Sequence, residues 1–309
     1  MKFHKPCLLT EILNIVESNN CKFIVDCTAG EGGHTTALAE KVGKSGKIIA
    51  IEYDPEYFSL LIENVEKLEN VEAVNASYVN LPEILKNLNF PPPDAIIFDL
   101  GISSFQLDKS GRGFSFKKDE PLDMRFNPKI GKPLFQIIQT LSEKEVENIL
   151  TFFGETRFAR KLAKAIYESR KNIKTTADLN KIIEKNIPQN YVENEFPKIY
   201  QAFRIFINKE LRNILDGIKN ALYTLKINGV LITISYHSIE DRICKNLKHI
   251  RGIKNLTKKP IVISEIELKS NPRCRSAHLR VFKKEGLNEE DLRNWYSAFY
   301  PPLSPDLYG

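Results

Sequence analysis

Four short apolar runs, each closing on or near a polar side chain, constrain this chain more than any other feature. Phe23-Ile24-Val25 ends at Asp26, Ile48-Ile49-Ala50-Ile51 at Glu52, Val71 to Val74 just ahead of Ser77-Tyr78, and Ala95-Ile96-Ile97-Phe98 at Asp99. Between the second and third runs Tyr57, Phe58, Leu61, Ile62 and Val65 recur at helical spacing. Strands apolar on both faces, alternating with helices, predict an α/β fold with a parallel sheet covered on both sides. Ligands of such sheets bind beyond the carboxyl ends of the strands. Asp26, Glu52, Tyr78 and Asp99 are therefore expected on one edge.

The turn after the first run sharpens this. Asp26-Cys27-Thr28-Ala29-Gly30-Glu31-Gly32-Gly33-His34 places three glycines in four residues, then enters a helical pattern. Glycine admits positive φ and close backbone approach, and a helix N-terminus offers free N–H groups. A nucleotide-bearing cofactor suits such a loop. The dinucleotide fingerprint G-x-G-x-x-G is incomplete, because Thr35 stands where its third glycine belongs. That weakens a nicotinamide oxidoreductase. An acid before a compact G-x-G-G loop fits S-adenosylmethionine (SAM) better. Glu52, about 20 residues on, has the offset of an acid that takes ribose hydroxyls.

Charge divides the chain. Residues 1–103 carry 8 basic and 15 acidic side chains, residues 104–309 carry 37 and 24, and all 13 arginines lie at Arg112 or later. An acidic cofactor end and a basic face for a polyanion are expected. No run is long and apolar enough for a membrane span, and Met1 to Cys7 has no signal core; a cytoplasmic protein is expected. Five cysteines without a C-x-x-C pair and five scattered histidines predict buried thiols, no disulfide framework and no metal site.

After Asp99 comes a long loop in which arginines and aromatics alternate: Arg112-Gly113-Phe114-Ser115-Phe116, then Asp123-Met124-Arg125-Phe126. Such side chains suit a splayed base and its phosphates. Pro133 to Asn186 reads as helical throughout, with a capping box at Ser142, a basic amphipathic helix from Glu155 to Arg170, and a longer helix from Ile199 to Leu225. A fifth strand, Gly229 to Ile234, is followed by a helix capped by Ser238. Ile261 to Leu268 and His278 to Phe282 are further strand candidates flanking the basic loop Asn271 to Ser276, and a proline-rich tail begins at Tyr300. The expected organisation is a cofactor domain, 1–103 and 210–309, interrupted by a mainly helical substrate domain, 104–209.

Taken in order, these motifs resemble the bacterial 16S rRNA (cytosine-N4)-methyltransferases, the RsmH/MraW family. The resemblance runs from His4-Lys5-Pro6 to Leu279-Arg280-Val281. It rests on the Asp26 to His34 loop, Asp99-Leu100-Gly101 with Ser103-Ser104, Gln106-Leu107-Asp108, Arg112 to Phe116, and Pro121 to Arg125. Gln201-Ala202 with Arg204-Ile205, His237-Ser238 with Glu240-Asp241-Arg242, and Asn271-Pro272-Arg273 with Arg275-Ser276 complete it. Glu52 and Tyr78 stand where the family generally has Asp and Phe, Phe105 and Phe126 replace a usual proline and methionine, and Glu195-Phe196-Pro197-Lys198 is shorter than the family's stretch.

The resemblance implies a Rossmann-like SAM-dependent methyltransferase sheet with an inserted helical domain. It implies methylation of the exocyclic N4 of a cytosine in the decoding region of 16S rRNA within the small ribosomal subunit. Carried over by motif, Gly32, Gly33, His34, Glu52, Tyr78, Asp99 and Gln106 are expected to contact SAM. Cytosine N4 is a poor nucleophile because its lone pair is delocalised into the ring. Asp99, with Ser103 and Ser104 as hydrogen-bonding candidates, is expected to help activate it. Phe114, Phe116 or Tyr236 are candidates to stack the flipped base. Arg112, Arg125, Arg204, Arg273 and Arg275 are candidates for phosphates, with His237 beside them. A homodimer stays open. So do a DNA amino-methyltransferase, although no Pro-Pro-Tyr/Phe follows Asp99, and a non-catalytic RNA-binding or ribosome-assembly protein.

Overall fold

A computed structural model describes residues 6–299; His4-Lys5 and the tail from Tyr300 lie outside the described residues. The chain divides into two compact units, one of Met1–Gly101 with Arg212–Tyr300, the other containing Ile102–Leu211.

The first unit is built on an eight-stranded sheet. In chain order its strands are β1 (Phe23–Asp26), β2 (Lys47–Glu52), β3 (Val71–Asn75), β4 (Ala95–Asp99), β5 (Val230–Ser235), β6 (Ile253–Asn255), β7 (Ile261–Val262) and β8 (His278–Lys284). The spatial order is β3-β2-β1-β4-β5-β8-β6, with β7 paired to β8. The first five strands run parallel, and β8 lies antiparallel to β5. Every residue of β5 is buried, as are Ala95 to Phe98 of β4, which explains why these runs read as continuous apolar sequence. The order reverses between β1 and β4, the switch point where such sheets bind ligands. Asp26 and Asp99 end the two strands flanking it.

Leu8, Ile12 and Val16 are sealed in one core cluster with Ile24, Ile48, Ile97 and Val230, each such side chain contributing about 1.5–3 kcal/mol. Helices Gly33–Val42, Pro55–Val65 and Leu81–Asn87 alternate with β1 to β4. Pro55 at the first turn and Asp54, whose carboxylate accepts the Glu56 N–H, fix the start of the second of these.

The second unit is helical, with Glu143–Gly154, Ala159–Ser169, Thr176–Asn186 and Gln189–Ile207 as its main elements. Capping boxes start the first and third, at Ser142 with Glu145 and Thr175 with Asp178. The segment Glu195-Phe196-Pro197-Lys198 is helical. Glu195 is buried against the Thr156 hydroxyl and Lys198, and Phe196 stacks on Phe116 at 5.1 Å.

Four local expectations are corrected. The helix expected from Ile199 to Leu225 is two, Gln189–Ile207 and Glu210–Thr224. Asn208 interrupts it by bonding the Met124 carbonyl and the Phe126 N–H, and Lys209 takes φ 52°. The strand expected from Ile261 to Leu268 stops at Val262, because Ser264 accepts the Glu267 N–H and starts helix Glu265–Ser270. The helix after β5 is capped by His237, not Ser238. Cys7 and Cys274, expected as thiols, form a disulfide with Cα atoms 5.6 Å apart, closing a loop of 267 residues. No local spacing signals a pair so distant.

This bond joins the start of the first unit to the turn Pro272–Ser276. A cross-link over so long a loop is worth about 2–4 kcal/mol. Reduction, or Cys274→Ala, should lower the thermal midpoint by about 5 °C or more, as read by calorimetry with and without a phosphine reductant. An unchanged midpoint, together with five titratable thiols in the untreated protein, would show that the bond is not held in solution.

Candidate active site

Past β1 the chain turns through Thr28 to Gly32 into helix Gly33–Val42. Asp26, fully buried, organises that turn. One carboxylate oxygen accepts the Thr28 N–H at 3.2 Å and the other accepts the Thr35 hydroxyl at 2.7 Å. Burial raises its pKa. The Thr28 hydroxyl oxygen in turn accepts the Asp99 N–H at 2.7 Å, so the loop after β1 and the end of β4 are fastened together. Gly32 caps the helix at φ 93°, and a Cβ there would come within 2.9 Å of Leu61 Cδ1. Only glycine meets both conditions.

Glu52 closes the loop from the β2 side. Its Oε2 accepts the Gly30 N–H at 2.8 Å and its Oε1 the Asp54 N–H at 2.7 Å. Burial pushes its pKa up to about 7 even against these two donors. Tyr78, in the turn past β3, packs edge-on against Phe98 with ring centroids 5.3 Å apart.

His34 is buried, with Nε2 3.5 Å from Asp99 Oδ2. Neither ring nitrogen of His34 has a hydrogen-bond partner, and neither does Asp99 Oδ1. Buried polar atoms left bare in this way are uncommon and mark places where a ligand completes the bonding. From the next strand, Tyr236 reaches the same carboxylate. Burial first, then the Asp99 charge and a hydrogen bond to Asp99, drive its phenol pKa well above the ordinary value. Tyr236 therefore keeps its proton at neutral pH and donates it in a hydrogen bond to Asp99. Its backbone N–H is held by Glu240 Oε2 at 2.9 Å. Its ring packs against Gly101, where a Cβ would sit 2.5 Å from Cε2.

In the first unit, then, Gly32, Gly33, His34, Glu52, Tyr78, Asp99 and Tyr236 collect at the carboxyl ends of β1 to β5. His237 follows as the helix cap, its imidazole accepting the Glu240 N–H at 3.4 Å, and Arg273 and Arg275 sit exposed in the turn before β8.

The second-unit candidates behave differently. Ser103 and Gln106 form a reciprocal capping box at the start of helix Ser104–Asp108. Arg112 is buried and donates to the Arg125 and Phe126 carbonyls. Arg125 forks onto Asp123, and Arg204 onto Glu210. Phe114 is buried and stacked on Phe126 at 5.6 Å, and Phe116 lies between Phe196 and Tyr200. These arginines and rings were expected to face phosphates and a base. Instead their charges and faces are taken up inside the unit, because a long loop between helices needs its own polar and aromatic fastenings.

Residues 1–285 match the MraW methylase family. The chain belongs to that family. Across 292 residues, 91% of this chain and 97% of the relative, it is 42% identical to the ribosomal RNA small subunit methyltransferase H of Thermosipho melanesiensis. Over 284 residues, 90% and 95% of the two chains, it is 40% identical to the protein of that name from Dictyoglomus thermophilum. Over 304 residues, 91% and 98%, it is 37% identical to that from Clostridium botulinum.

A MraW methylase uses SAM as its methyl donor, and the residues at this edge fit it. A glycine cradle at a helix N-terminus, a carboxylate on the neighbouring strand and the bare polar atoms of His34 and Asp99 offer sites for a backbone-lined tail, ribose hydroxyls and a cationic centre. Sequence reasoning passed over Thr28, Thr35 and Glu240, which hold Asp26, Asp99 and Tyr236 in place. The available signal for Thr28 and Glu240 was their position within a few residues of a strand end; Thr35, nine residues past Asp26, gave none.

The raised Glu52 pKa has a definite consequence without ligand. Between pH 4.5 and about 7 the folded chain keeps a proton at Glu52 that the unfolded chain has released. Stability from this group therefore falls as pH rises through that window and is level above it. Glu52→Gln should gain stability relative to the parent between pH 5 and pH 8, by on the order of 1 kcal/mol or more. Denaturant midpoints at the two pH values check this; a mutational difference that does not change with pH would refute it.

Proposed function

We propose that this methylase transfers a methyl group from SAM to the exocyclic N4 of a cytosine in the decoding region of 16S rRNA, acting in the cytoplasm on the small ribosomal subunit. Family membership and the name shared by its relatives support the substrate class. The observation that carries the site is Asp99, whose Oδ1 is bare, buried and placed at the switch point of the sheet between His34 and Tyr236.

Gly32 and Gly33 with the following helix, His34, Glu52 and Tyr78 would hold the donor. When bound, SAM supplies a methyl group already activated on a sulfonium. The rest of the work is placing the amine, and orientation can account for roughly 7–11 kcal/mol of a barrier. Asp99 Oδ1 accepts an N–H of the target amine, which localises the nitrogen lone pair and later gives the released proton a place to go. Tyr236, kept protonated, holds the carboxylate in position, and the Thr28 hydroxyl fixes the backbone beneath it. Ser103 and Gln106 contribute by holding the short helix that follows the site strand in sequence.

Asp99→Ala should lower methyl transfer by about 100- to 1,000-fold; full activity in that variant would remove the assignment. The substrate is tested by incubating the protein and labelled SAM separately with small ribosomal subunits, naked rRNA and duplex DNA, then digesting and identifying the labelled nucleoside. N4-methylcytidine from subunits is expected. Label in DNA alone would replace this reading with a DNA amino-methyltransferase, and absence of label everywhere with a non-catalytic binding protein. Light scattering of the same preparation tests a homodimer.

A further inference from the structure

A groove of about 600 Å³ opens beside Tyr236 in the first unit, walled by helix Ser238–Lys245 and the turn before β8. That is within the range of about 300–1,000 Å³ typical of small-ligand sites, and much more than a bare ion needs. Three cations line it, Arg242 and Lys245 one turn apart on the helix and Arg275 from the turn. Hydroxyls of Ser238 and Ser276 lie among them.

One carboxylate also lines the groove, and its charge is spent elsewhere. Asp241 receives a two-pronged bond from buried Arg280, at 2.8 and 2.9 Å, with His278 Nδ1 at 3.9 Å. These partners hold its pKa below the ordinary range despite the opposing effect of burial. Lys245 and Arg275 therefore leave the groove with a positive lining. Lys245 and Arg275 are exposed and form no ion pair among the described residues. Tyr236, whose side chain bonds Asp99, is also part of the lining. The positive groove thus shares Tyr236 with the Asp99 site.

We infer that this groove seats the sugar–phosphate of the nucleotide adjacent to the target cytosine, with Arg242, Lys245 and Arg275 around its phosphate. The assignment rests on the RNA reading above and adds Arg242 and Lys245 to it. Guanidinium forks match phosphate geometry, and the serine hydroxyls supply neutral donors beside them. A polyanion threaded past Asp99 must carry its flanking phosphate into one neighbouring space, and this space is lined for it.

The test measures steady-state methylation of small ribosomal subunits, with SAM affinity measured separately by calorimetry. Lys245→Ala and Arg275→Ala should each raise KM for the subunit by about tenfold, leave kcat within about twofold, and leave SAM affinity unchanged. The slope of log affinity against log salt should fall by about 0.7–0.9 for each cation removed from the phosphate. Lys44→Ala removes the same charge from the turn before β2, at the opposite end of the strands, and should change KM less than about twofold on the same electrostatic argument. Groove variants with unaltered KM and salt slope, or an equal effect from Lys44→Ala, overturn the groove. Loss of SAM affinity in step with KM also overturns it, since the residues would then shape the donor site. If the parent protein labels no RNA, the substrate reading falls and the groove with it, an outcome distinct from labelled subunits with indifferent variants.

Discussion

The buried carboxylate of Asp26 is the constraint on which the site depends. A carboxylate without water is costly unless its oxygens are bonded. Here the cost is offset in part by a backbone N–H and a hydroxyl from either side of one glycine turn. The loop is consequently not free to relax into an ordinary strand-to-helix connection. Thr28, positioned by this clamp, passes the constraint to Asp99 through its hydroxyl. The two acids that frame the switch point are thus set relative to each other by hydrogen bonds rather than by strand pairing alone.

Much of the first unit is legible in the sequence, for a physical reason. A strand buried on both faces has almost no choice of residue, so β1, β2, β4 and β5 stand out as apolar runs, and their polar ends stand out against them. The edge strand β3 is more exposed and reads more weakly. The three-residue strand β6 gives no period long enough to detect, and β7 is the first two residues of a longer expected strand. Ser264-Glu265-Ile266-Glu267 carried a helix-start signal that β-branched Ile261, Val262 and Ile263 outweighed. The Cys7–Cys274 bond was invisible because pairing at that distance leaves no local trace.

The site divides in the same way. Strand-end residues follow from topology, so Glu52 and Asp99 could be placed before any coordinates. Arginine identity cannot tell a phosphate ligand from an internal fastening, since both uses need the same planar fork. Arg112, Arg125 and Arg204 prove to be fastenings, each meeting a carbonyl or carboxylate of its own unit. Arg275 and Lys245 have no such partner among the described residues. What separates the two groups is the company each guanidinium or ammonium keeps, which sequence position does not record.

The order of strands in the sheet also has a meaning in time. β4 pairs with β1 on one side and with β5 on the other, yet Asp99 and Val230 are separated by the whole of the second unit. While the chain emerges from a ribosome, β4 is an uncapped edge of four buried apolar residues until β5 arrives. Such an edge invites foreign strands. A helical unit made in that interval can settle on local contacts alone, without competing for the open edge. An inserted sheet would have offered β4 the wrong neighbour.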